Sequence, residues 1–102
     1  MRIIELDARN WDNVLDFYSA LKEALGSCRG HGDSPDAWVD SMICGGMNEV
    51  EAPYIVHITG AATCNAKLKG EIALLADVIK DARLWRLQHY GDDVDVSFQI
   101  EQ

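Results

Sequence analysis

Apolar and polar positions along this chain fall into a strand–helix alternation. Ile3, Ile4 and Leu6 form a short apolar run before Asp7, and residues 2–6 read as a first strand. Asn10 fits as the N-cap of a helix running to about Leu25. There Val14, Tyr18, Leu21 and Leu25 recur at helical spacing with Leu15 beside them, and Gly26 supplies the stop. Tyr54-Ile55-Val56-His57-Ile58 is a second strand, apolar enough to be covered on both faces. Asn65 caps a long helix to about Trp85, on which Leu68, Ile72, Leu75, Ile79 and Ala82 form one stripe. Val94 to Ile100 alternates strictly and reads as the last strand. Residues 84–92 (LWRLQHYGDD is its core and flank) belong to neither pattern. Strands separated by helical stretches imply parallel pairing through crossover connections.

Between the first helix and the second strand lies the stretch with the most chemistry, Gly30 to Gly46, GHGDSPDAWVDSMICGG. Ser34 is a good N-cap, and Pro35 suits the first helical position, where a missing N–H costs nothing. Gly45 and Gly46 end the helix. Asp36 and Asp40 are four residues apart and share a helix face, with Asp33 in the loop just before. Trp38 and Met42 lie on another face and read as the anchor to the core. From Gly30 to Ala66 there is no Lys or Arg, while Asp33, Asp36, Asp40, Glu49 and Glu51 all fall in that window. Such a surface suits a basic partner, or is simply a solvated acidic face.

Composition narrows the classes. The 102 residues are enough for one domain, 1–102, with a single core. A net charge of −8 and a pI near 4.6 argue against direct nucleic-acid binding, which needs a basic footprint. Cys28, Cys44 and Cys64 are an odd number with no C-x-x-C, which favours reduced thiols and a cytoplasmic address. No apolar run approaches a membrane span, and MRIIELD has no signal-peptide core. His31, His57 and His89 are too dispersed to imply a metal site, and no cofactor motif is present. The paired carboxylates have no companion nucleophile, so an enzyme is not expected.

His31-Gly32-Asp33-Ser34-Pro35-Asp36-Ala37-Trp38-Val39-Asp40-Ser41-Met42, with Gly45 behind, resembles the core motif of the barstar family, small intracellular ribonuclease inhibitors. The glycine, the Asp-Ala pair and the second Asp are in register, and the element order is similar over nearly the whole chain. The acidic part of the family's site is kept. Gly30 and Val39 stand where the family has aromatic residues, and Ser34 stands for its asparagine. The resemblance implies an α/β fold with a three-stranded parallel sheet packed with about four helices in layers. It also implies an inhibitor or immunity protein that binds a cognate basic ribonuclease or nuclease toxin, 1:1, and is a monomer when free. Asp40 would be the central plug of the nuclease site and Asp36 the second, with Asp33 in support. Asp81 would join them by alignment of the long helix. His31, read from its loop position beside the acidic helix rather than from the family, is a further candidate for partner contact. The alternative is a non-inhibitory acidic interaction or regulatory module on the same fold.

Overall fold

The structure is a computed structural model and describes residues 1–101. Three strands, β1 (Arg2–Asp7), β2 (Tyr54–Thr59) and β3 (Val96–Ile100), form one parallel sheet in the order β1-β2-β3. The helices are α1 (Val14–Leu25), α2 (Pro35–Val39) and α3 (Ala66–Tyr90). A π-turn over Asp40–Cys44 continues α2, and a short 3-10 turn spans Ala61–Thr63.

The helix number is therefore three α-helices rather than about four. Residues 84–90 are the last turns of α3, which runs on past Trp85 to a left-handed cap at Gly91 (φ 66°). Leu84, Arg86, Leu87 and Gln88 are all good helix formers, so propensity carries the helix past the end of its buried stripe. α1 also starts later than Asn10 suggests. Asn13 is the N-cap, and a capping box with Asp16 fixes the start at Val14.

The sheet is covered on one face only, which corrects the expectation for β2. Burial alternates along that strand: Tyr54, Val56 and Ile58 are buried, while Ile55 and His57 are partly open. On the inner face, Ile4, Leu6, Val56, Ile58 and Val96 meet Phe17, Tyr18, Leu21 and Leu25 of α1 and Leu68, Ile72, Leu75 and Ile79 of α3 within one core. Leu15, which neighbours the α1 stripe in sequence, faces solvent. The Tyr18 hydroxyl donates to Glu71 and ties α1 to α3. Burial, and then that carboxylate, push the Tyr18 phenol well above its usual range.

On the outer face Glu5, His57 and Gln99 stand side by side across the three strands. His57 Nδ1 lies 2.9 Å from Glu5 and its Nε2 lies 3.3 Å from Glu101. The hydrogen bond to Glu5 leads in raising the His57 pKa above the ordinary imidazole value, against a smaller opposing effect of desolvation. A raised folded-state pKa means that this ion pair stabilises the fold fully below the unfolded value, near 6.5. The contribution is lost as pH rises through the folded value. Wild type should therefore lose thermal stability relative to His57→Gln as pH is taken from about 6 to 8. Melting curves of both proteins across that range check it; parallel curves would refute it.

Candidate functional site

The acidic helix is held by its own sequence signals and by the core. Ser34 accepts the Ala37 N–H at 3.3 Å, and Pro35 occupies the first position. Trp38 is wholly buried, with Met42 and Ile43 also in the core. Its indole lies parallel to the Tyr18 ring at 6.3 Å and meets the His31 ring at 4.0 Å. This leaves Asp36 and Asp40 on the solvent side of the same short element, as their spacing requires.

The helix end differs from expectation in one respect. The Gly45 N–H bonds back to the Asp40 carbonyl at 3.1 Å, five residues away, so the last turn is π rather than α. Gly45 sits at φ 84°, a conformation that disfavours any side chain. The flanking loops are laced together. Cys28 N–H bonds to Met47, Glu49 N–H to Gly26 and Val50 N–H to Leu25, at 2.9 to 3.1 Å. Both ends of the acidic helix are thus fastened near the end of α1.

The expected site residues have different surroundings. Asp36, Asp40 and Asp81 are exposed, and none forms an ion pair among the described residues. Asp33 is paired with Lys22 at 2.5 Å, so its charge is largely spent within the molecule. His31 is only 5% exposed, which corrects the expectation that it offers itself to a partner. Its Nδ1–H donates to the Gly32 carbonyl at 2.8 Å, and its Nε2 meets the Ser41 hydroxyl at 2.8 Å. It supports Trp38 from below, a role the glycine-rich loop around it disguises. Among the described residues no group of three or more His, Cys, Asp or Glu is placed to hold a metal. Among the described residues no helix is long and apolar enough to cross a membrane.

The α2 and π-turn segment packs against α3. Val39 and Ile43 from the first, and Ala82, Trp85 and Tyr90 from the second, line a groove of about 490 Å³. Asp40 follows Val39 directly, and Asp81 precedes Ala82 directly and Trp85 by one turn. The two carboxylates are thus carried by the elements that form opposite walls of one groove, while the groove itself is lined by their neighbours. Arg86 joins the walls by donating to the Ile43 carbonyl at 3.1 Å. The groove is not apparent from periodicity, because Trp85, Arg86 and Tyr90 lie beyond the α3 stripe. The available signal is an aromatic-rich stretch with no core pattern.

Anchoring and display are separable by mutation. Trp38→Ala should lower unfolding stability by roughly 3–5 kcal/mol through the cavity it leaves. Asp40→Ala, on an exposed unpaired side chain, should change it by less than about 0.5 kcal/mol. Urea unfolding followed by circular dichroism measures both.

A family model described as Barstar (barnase inhibitor) matches residues 1–100. No curated protein matches the chain significantly. With the match spanning almost the whole sequence, and with a three-stranded parallel sheet and an acidic helix in the order that the motif implies, this chain belongs to the barstar family.

Proposed function

We propose that this protein is a ribonuclease inhibitor, an immunity protein of the cytoplasm that binds a basic nuclease 1:1 as a single domain and blocks its active site. The observation that carries this reading is the pair Asp36 and Asp40, exposed and unpaired on a helix whose other face is locked into the core. A ribonuclease site is lined with cations that hold phosphate. Two carboxylates on a rigid support can occupy it in place of the RNA backbone, paying little ordering entropy. Asp40 is the central plug, Asp36 its neighbour and Asp81 a flanking contact. Asp33 contributes less than the other carboxylates, because Lys22 already holds it. His31 acts by positioning Trp38 and hence the helix. The protein itself performs no chemistry in this reading.

The net charge of −8 steers a basic partner from a distance, so association should slow as salt screens it. The test is capture of the partner from native lysate at low salt, release by rising ionic strength, and a ribonuclease assay on the eluate. The eluted protein should cleave RNA only once freed, and re-adding wild type should silence it. Asp40→Ala should weaken that inhibition by about a hundredfold or more in Kd, since it leaves the nuclease cations buried without a partner. An Asp40→Ala protein that inhibits as well as wild type would overturn the site assignment. A captured partner without nuclease activity would leave the fold serving as a regulatory module instead.

A further inference from the structure

The last two turns of α3 carry an apolar surface that nothing among the described residues covers. Trp85 is 52% exposed and Tyr90 70%, with Leu84 and Leu87 also open to solvent. Trp85 is nonetheless held in place. The His89 ring stacks on it at 4.1 Å and 16° between planes, and Tyr90 meets its edge at 5.6 Å. The His89 Nδ1–H donates to the Trp85 carbonyl at 2.9 Å and fixes the stacking ring. An exposed aromatic already ordered in the free protein loses little freedom on binding, which is the character of an interface anchor. Gly30, in the loop before the acidic helix, has no side chain and Val39 a small one, so the acidic segment by itself offers a partner little apolar area.

Charge decides what the groove beside Trp85 accepts. Asp36 and Asp40 lie on the element that forms one wall and Asp81 on the other. The cation within it, Arg86, is held by Asp92 at 3.0 Å. A second copy of this chain would bring the same acidic face and another net charge of −8. An anionic membrane would be repelled in the same way. A basic polypeptide with an apolar side chain between its cations meets both features at once.

We infer that this groove is the apolar half of the docking surface, and that it receives an aromatic or large aliphatic side chain from a loop of the basic ribonuclease. Lys or Arg residues flanking that side chain reach Asp36, Asp40 and Asp81. The inference rests on the inhibitor reading and adds to it the chemistry of the partner's contact loop. Trp85 and Tyr90 are the hot spot, and the carboxylates set orientation and approach.

The experiment titrates the whole, isotopically labelled protein by NMR with two short synthetic peptides. One is Lys-rich with a central Phe; the other has Ser in place of that Phe. The Phe peptide should move the Trp85 indole and the Val39 and Ile43 methyl signals. It should bind about tenfold tighter than the Ser peptide, the gain from burying one ring. Trp85→Ser combined with Tyr90→Ser should erase the difference without moving the melting temperature, while Asp40→Ala should weaken both peptides alike. Equal affinities, no binding by either peptide, or shifts mapping away from the groove would overturn the inference. So would a concentration-dependent dimer in sedimentation that Trp85→Ser dissolves, because the occupant would then be a second copy. Nuclease inhibition separates the two readings. If the double variant inhibits fully, the groove inference falls and the inhibitor reading stands. If wild type inhibits nothing but prefers the Phe peptide, the inhibitor reading falls and the groove remains a site for basic chains.

Discussion

The burial of Trp38 is the constraint on which the site depends. A helix of five residues with a π-turn behind it is too short to hold its shape through its own hydrogen bonds. Here one large side chain, sandwiched between Tyr18 of α1 and the buried His31, fixes the rotation of the element about its axis. That rotation puts Asp36 and Asp40 outward. The same interaction explains why a histidine sits in a glycine-rich loop. Its two ring nitrogens are bonded to Gly32 and Ser41, so the loop and the helix that follows it are stitched around the indole.

Electrostatics and apolar contact are divided between two elements. The acidic segment carries charge and only a small apolar contribution from Val39 and Ile43, and the end of α3 carries exposed aromatics. Arg86 joins them, bonded to the Ile43 carbonyl on one side and to Asp92 on the other. Arg83 in turn holds Asp93 at 2.7 Å and Asp95 at 3.1 Å, so the chain leaving α3 is drawn back along the helix into β3. Residues 84–92 are thus neither a loop nor a separate helix. Residues 84–90 are an extension of α3, with Gly91 and Asp92 as its cap and exit, and its position relative to the acidic helix is set by side chains from both.

The sheet shows how local reading can mislead. Tyr54 to Ile58 is apolar at four of its five positions, which suggests burial on both faces. The structure buries one face and places Ile55 and His57 on the other, where His57 is hydrogen-bonded to Glu5 of β1 and lies close to Glu101, just past β3. A strand's own residues do not report whether a second layer exists. That depends on where the crossover connections run, and here both long helices pack against the inner face.

What the sequence by itself determined was local. Ser34 and Pro35 start the acidic helix, Gly45 ends it, and the spacing of Asp36 and Asp40 places both on one face. The stripes Leu68–Ile72–Leu75–Ile79 and Tyr18–Leu21–Leu25 match the buried faces of α3 and α1, because periodicity encodes burial directly. What only the tertiary structure decided was which charges remain available and which surfaces meet. Asp33 lies near Asp36 in sequence but is neutralised by Lys22 from another helix, and His31 is drawn inside by Trp38 and Ser41. Ala82 and Trp85 meet Val39 of the acidic helix in one groove, across a gap of more than forty residues. Such pairings depend on packing between distant segments, and no spacing along the chain encodes them.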